Sequence, residues 1–126
     1  MAGLKFLVVD DSITMRRIVI NTLKNMGHDK IVEAVDGEDA LAKLQVEDDV
    51  DFIITDWNMP NMTGLEFVKV VRQQDNIKEL PILMVTTRGM KQDILEAMQA
   101  KVNSYIIKPF TPQAIKEKIE KVLASV

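Results

Sequence analysis

The 126-residue chain sets 16 Lys and Arg against 19 Asp and Glu, a formal net charge of −3, with both signs spread along its length, which argues against generic binding to nucleic acid or an anionic membrane. It has no Cys, so disulfides and thiolate metal sites are excluded and nothing points to an oxidising compartment. A chain of this size is expected to form one domain over residues 1–126, burying roughly two-thirds of its unfolded surface without a staple.

The N-terminus, MAGLKFLVVDD, has a short apolar stretch and then two acids, which is neither a signal peptide nor a membrane span. Ala2 rules out a myristoylation start, so a cytoplasmic protein is expected. The first apolar run, KFLVV, ends at Val9 and leads into Asp10 and Asp11. A helix should follow, because Met15, Ile18, Val19, Thr22, Leu23 and Met26 recur at helical spacing as one stripe and Gly27 supplies a left-handed stop. Arg16 and Arg17 read as a solvated helix face and His28 as a surface turn residue.

The second run, KIVEAV, ends at Val35, and Asp36 with Gly37 looks like a helix start. The third, DFIIT, ends at Thr55 and delivers Asp56 to its own tip, with Pro60 and Gly64 close behind. The NMT at Asn61–Thr63 matches a glycosylation acceptor only by chance in a cytoplasmic chain. The fourth, PILMVT, ends at Thr86 with Thr87 beyond it, and the fifth, SYIIK, ends at Lys108 with Pro109 beyond it. Thr111 then reads as an N-cap and Pro112 as a first helical residue, after which Ile115, Ile119, Val122 and Leu123 share a face.

Such near-continuous aliphatic runs suit parallel strands buried on both faces. Five of them alternating with five helix-like stretches imply a parallel sheet with right-handed crossovers and helices on both sides. Ligands of that architecture bind outside the carboxyl ends of the strands, which gathers Asp10, Asp11, Asp56, Thr86 and Lys108 into one candidate site. Two carboxylates about 4 Å apart repel by roughly 4 kcal/mol at an effective dielectric near 20, so a cation is needed. Hard oxygen donors without His or Cys suit Mg²⁺.

Asp56 is then either a metal ligand or a nucleophile. A carboxylate that attacks phosphorus needs a metal to bridge it to the phosphoryl oxygens, a point cation and a hydroxyl. Asp10 and Asp11 can hold the metal, Lys108 supplies the cation and Thr86 the hydroxyl. Taken singly, paired acids are as readily a helix start favoured by the dipole, and Lys before Pro or Thr ending a strand is ordinary structure. Their coincidence at the strand ends is what carries the functional reading.

The segments FLVVDDS (Phe6–Ser12), DWNMPNMTG (Asp56–Gly64), MVTT (Met84–Thr87) and YIIKPF (Tyr105–Phe110) closely resemble, in order and along the whole chain, the receiver domains of two-component response regulators. That resemblance implies a flavodoxin-like, doubly wound, three-layer α/β fold with five strands in the order 2-1-3-4-5, an order taken from the family. It implies phosphorylation of Asp56 by a histidine kinase, with Mg²⁺ held by Asp10, Asp11, Asp56 and the backbone carbonyl of Asn58. Thr86 and Lys108 would contact the phosphoryl group, Tyr105 would be an aromatic switch that turns inward, and Pro109 would follow a cis bond. Trp57 would report on the site or simply pack over its loop.

Because no output segment follows Val126, the expected output is another protein. By resemblance to the chemotaxis members this is the flagellar motor switch, with a phosphatase as a further partner and the chain itself a monomer. A stand-alone receiver in a phosphorelay is the alternative. A haloacid-dehalogenase-like phosphohydrolase would want an acid two residues after its nucleophile, where Asn58 stands, and a flavodoxin-like electron carrier would not place two acids in DDSIT. The chain departs from the family at Thr87, expected to crowd the site, at Arg88 and Asn58, which flank it where dephosphorylation is set, and at Lys101 and Val102, where a Gly-Ala pair is usual.

Overall fold

Each apolar run forms a strand and each amphipathic stretch a helix in the computed structural model, which describes residues 3–125. In chain order these are β1 (Lys5–Val9), α1 (Ile13–Asn25), β2 (Lys30–Ala34), α2 (Gly37–Val46), β3 (Phe52–Thr55), α3 (Gly64–Gln73), β4 (Ile82–Thr86), α4 (Lys91–Gln99), β5 (Ser104–Ile107) and α5 (Pro112–Ser125). The sheet is wholly parallel in the order β2-β1-β3-β4-β5. Strand alternation splits the core in two. Phe6, Val8, Phe52, Ile54, Leu83 and Val85 pack with Val19 and Leu23 of α1 and Ile115 and Ile119 of α5. On the opposite face, Leu7, Val9, Ile53, Ile82 and Met84 pack with residues of α2, α3 and α4.

The strands are a little shorter than their sequence runs, since Val35, Asp51, Pro81 and Lys108 fall outside them. Burial on both faces holds for β3 and β4. It fails for the edge strand β2, where Ile31 and Val32 are half-buried and Glu33 is exposed, because no further strand covers that side. The α1 stripe is also shifted: Ile20 joins Val19, Thr22 and Leu23 in the interior, whereas Ile18 is exposed. Ile18 and Met15 instead line a groove beside Pro109 and Phe110.

The caps at Asp36 and Thr111 are those read from the sequence, and the structure adds two more at Ser12 and Thr63. Ser12 accepts from the Met15 N–H, Asp36 from the Asp39 N–H and Thr111 from the Ala114 N–H, while Thr63 and Glu66 form a reciprocal capping box. Gly27 stops α1 at φ 94°. Lys101, just past the end of α4, has φ 73°, a left-handed conformation that costs a side-chain-bearing residue about 1 kcal/mol. Lys101→Gly should therefore raise stability by up to about 1 kcal/mol in urea unfolding. The Lys101 carbonyl, which accepts from the Arg72 guanidinium, is kept in that variant. A loss of similar size would show that the lysine side chain has a stabilising contact.

Candidate functional site

The carboxyl ends of β1, β3, β4 and β5 converge on one cleft. The Asp10 N–H donates to the Ala34 carbonyl (3.1 Å) and the Asp56 N–H to the Val9 carbonyl (2.9 Å), so both acids are carried on the sheet itself. Asp10 and Asp56 are buried and Asp11 is exposed. One carboxylate oxygen from each of the three lies within 4.8 Å of the other two. Lys108 Nζ donates to Asp10 Oδ2 and to Asp56 Oδ2, at 3.1 Å each.

Burial pushes the Asp10 carboxyl above its ordinary range, against the Ser12 N–H and Lys108, which favour its charged form. For Lys108, burial alone would lower the ammonium, but Asp56 and Asp10 outweigh it and the net shift is upward. A raised lysine contributes stability that is fully present below its unfolded value of about 10.4 and is lost only as pH climbs through the folded value. That clamp is therefore constant through neutral pH. Three carboxylates against one ammonium still leave the cleft two charges negative. The donors are hard oxygens with no imidazole or thiolate among them, and exposed Asp11 opens the cluster to water, a set that fits a small divalent ion retaining part of its hydration shell.

Thr86 is fully buried, and its hydroxyl accepts from the Arg88 N–H at 3.2 Å. Tyr105, expected to stand outward until a signal arrives, is already inward: only 8% of it is exposed, and its hydroxyl donates to the Arg88 carbonyl at 2.6 Å. Burying the ring and satisfying the hydroxyl on one partner favours that position without any ligand. Burial accordingly pushes the phenol up to about 12. The Lys108–Pro109 bond is cis, as the motif implied. Thr87 does not crowd the acids; it is exposed and lines the groove with Met15, Ile18 and Pro109.

Arg88 spans the mouth of the cleft. Its guanidinium lies 4.6 Å from the centre of the Trp57 ring, Nε donates to Asn58 Oδ1 at 2.9 Å and Nη1 approaches Asp93 Oδ1 at 3.3 Å. Trp57 is itself buried among the core residues under the loop. Arg16, read from sequence as solvated, is mostly buried: Nη1 donates to the Asp10 carbonyl (2.7 Å) and Nε pairs with Glu33 (3.0 Å). Its spacing six residues after Asp10 was the available signal, since the first turn of a helix can reach back to the loop that starts it.

The β3–α3 loop closes through Gly64, whose N–H donates to the Trp57 carbonyl at 2.8 Å. Across from it, Asn61 Nδ2 donates to Asp36 Oδ2 at 2.7 Å. Hydrogen bonds from Asp39 and then Asn61 hold the Asp36 carboxyl below its usual range.

Comparison with known proteins agrees with this architecture. Residues 6–120 match the response regulator receiver domain model. A chemotaxis protein CheY homolog of Campylobacter jejuni is 54% identical over 122 residues, covering 97% of this chain and 94% of the relative. Chemotaxis protein CheY1 of Helicobacter pylori is 52% identical over 122 residues, covering 97% and 98%. Among solved structures, chemotaxis response regulator CheY4 of Vibrio cholerae superposes with a TM-score of 0.88 at 41% identity, over 96% of this chain and 99% of that one. Matched across nearly its whole length in sequence and in strand order, the chain belongs to the response regulator receiver domain family of two-component signalling.

Proposed function

We propose that this chain is a phosphorylation switch in which Asp56 accepts a phosphoryl group from a histidine kinase, and that in its modified form it binds a partner protein. The observation that carries the reading is the clamp of Lys108 on Asp10 and Asp56 beside a third carboxylate. Asp10, Asp11, Asp56 and the Asn58 backbone carbonyl would hold Mg²⁺. When bound, the ion supplies counter-charge to the acids and to the incoming phosphoryl oxygens.

An oxygen of Asp56 attacks phosphorus. The bond from phosphorus to the donor's imidazole nitrogen breaks, and its electron pair stays with the imidazole, which takes up a proton. Lys108 turns part of its hydrogen bonding from Asp56 to a phosphoryl oxygen. The Thr86 hydroxyl already accepts from Arg88 N–H, so its own proton is free to donate to another. Three carboxylates, one ammonium and a divalent cation sum to zero formal charge, and an acyl phosphate dianion in place of the Asp56 carboxylate takes this to about −1.

Both relay residues hang on the same loop residue, since Thr86 holds the Arg88 N–H and Tyr105 holds its carbonyl. A shift of Thr86 therefore draws that loop and Tyr105 together, so the relay starts from an inward ring. It would reshape the face where Met90, Leu95, Met98 and Ile107 stand exposed. Because the relatives are named chemotaxis proteins, the flagellar motor switch is the proposed partner of a single cytoplasmic receiver domain. With beryllofluoride and Mg²⁺, a motor-switch peptide should bind more tightly by about 1–3 kcal/mol of coupling. Thr86→Ala should shrink that coupling while leaving phosphorylation of Asp56 largely intact. Equal coupling in both proteins would move the output to another face.

A further inference from the structure

In the metal-binding reading Asp10, Asp11 and Asp56 directly follow the ends of β1 and β3, whereas Asn58 stands three residues past the end of β3, out on the β3–α3 loop, and something must hold that loop still. Two structural ties reach it from α2. Asn61 takes φ 68°, which Asn tolerates better than most residues, and its amide donates to Asp36 Oδ2 at 2.7 Å. The other oxygen of the same carboxylate accepts the Asp39 N–H at 2.8 Å and so starts α2. The second tie runs from the Gly37 N–H to the Met62 carbonyl at 3.2 Å. A Cβ at Gly37 would lie 2.7 Å from Met62 Cγ, so helix and loop are pressed together there.

Asn58 sits three residues before Asn61, with Pro60, whose φ is fixed by its ring, between them. Its side-chain amide is taken by Arg88. That leaves the direction of its backbone carbonyl to the two ends of the loop: the Gly64–Trp57 hydrogen bond at the base and the Asp36–Asn61 bond at the far side.

We propose that Asp36 and Asn61 form a latch that sets the affinity of the acid cluster for Mg²⁺ by aiming the Asn58 carbonyl, although neither residue belongs to the ligand set. They are positioning residues, and the effect falls on metal affinity and not on the chemistry at Asp56. The latch rests on the metal-site reading above. Partners that orient a ligand typically change metal affinity about 10–100-fold when lost. With one ligand of four affected, the low end applies.

Asp36→Ser separates the two duties of the carboxylate, because Ser caps a helix well but does not reach Asn61. In this variant the metal-free protein should stay folded and melt only a few degrees lower, about the loss of one hydrogen bond. The Mg²⁺ dissociation constant, read from Trp57 fluorescence, should rise roughly tenfold. Phosphorylation by a small phosphodonor should need more Mg²⁺ for half its maximal rate and should reach the same rate at saturation. Asn61→Asp sets two carboxylates face to face and should weaken binding likewise. Adding Asp36→Asn to it restores one donor and one acceptor with the polarity reversed and the total charge kept, and should recover the affinity. Hydrogen exchange at the Gly37 amide, without metal, should quicken in Asp36→Ser and slow again in the reciprocal pair. If wild type responds to Mg²⁺ but both single variants bind it within about twofold of wild type, or if the reciprocal pair fails to recover, the latch is refuted. A wild type that gives no Mg²⁺ response overturns the metal reading and the latch with it, and does so before any variant is compared.

Discussion

In metal-free buffer at neutral pH, Lys108→Met should lose about 3 kcal/mol of stability, because removing one member of a buried ionic cluster leaves the others uncompensated. The side chains concerned are only 13% (Lys108), 7% (Asp10) and 8% (Asp56) exposed, so solvent screens them little. Met keeps much of the stem's volume, which makes the loss electrostatic. Asp10 is already held above its ordinary range by burial. A raised carboxyl costs stability that is absent below the unfolded value of about 3.9 and fully present above the folded value. The deficit of Lys108→Met should therefore shrink as pH falls into the carboxylate range. It should also narrow with saturating Mg²⁺, which replaces the lost counter-charge. Urea unfolding at two pH values, with and without Mg²⁺, measures all of this. A deficit below about 1 kcal/mol, the size of an exposed pair, would show that the clamp does not hold the acids.

Gly64→Ala should cost about as much for a different reason. A Cβ there would stand 1.8 Å from the Asp56 carbonyl oxygen and 2.9 Å from Trp57 Cα, both backbone atoms that no rotamer change can move aside. Relief requires opening the hydrogen bond from Gly64 N–H to the Trp57 carbonyl, so a loss of about 3 kcal/mol, at the upper end for overpacking, should come with weakened Mg²⁺ binding. Gly89→Ala is the control. Its Cβ would meet the tip of the Ile107 side chain at 3.2 Å, a contact that a small torsion relieves. Calorimetric melting of the two variants side by side decides the matter, and equal small losses would mean that the β3–α3 loop yields more easily than its geometry implies.

The sheet and the gathering of acids were legible because both depend on short-range patterns. Aliphatic runs make strands, strict alternation makes the sheet parallel, and a parallel sheet brings its strand ends to one edge. What the chain did not announce were contacts closed by packing over long separations. The Asp36–Asn61 bond spans 25 positions and the Tyr105–Arg88 bond 17. Nothing in the local pattern around Tyr105 says that its ring is inward before any signal. The choice of Ile20 over Ile18 for the interior of α1 is made by the neighbouring segments, which leave Ile18 at a groove with Pro109 and Phe110. Strand ends were overrun for a similar reason. Lys108 lies beyond the last β4–β5 pair, Thr86 with Ile107, and composition does not show where a neighbouring strand stops.

The central claim is that Asp56 takes the phosphoryl group, and locating that group tests it most directly. The protein is treated with Mg²⁺ and a small phosphodonor, reduced with borohydride, digested and mapped by mass. One phosphoryl group per chain, stable near neutral pH but lost in strong acid, in base and with hydroxylamine as an acyl phosphate is, should appear before reduction and be absent when Mg²⁺ is chelated. Reduction should convert the residue at position 56, and no other, to homoserine, and Asp56→Asn should abolish both signals. Full labelling that survives Asp56→Asn, or a reduced residue at any other position, would contradict the account.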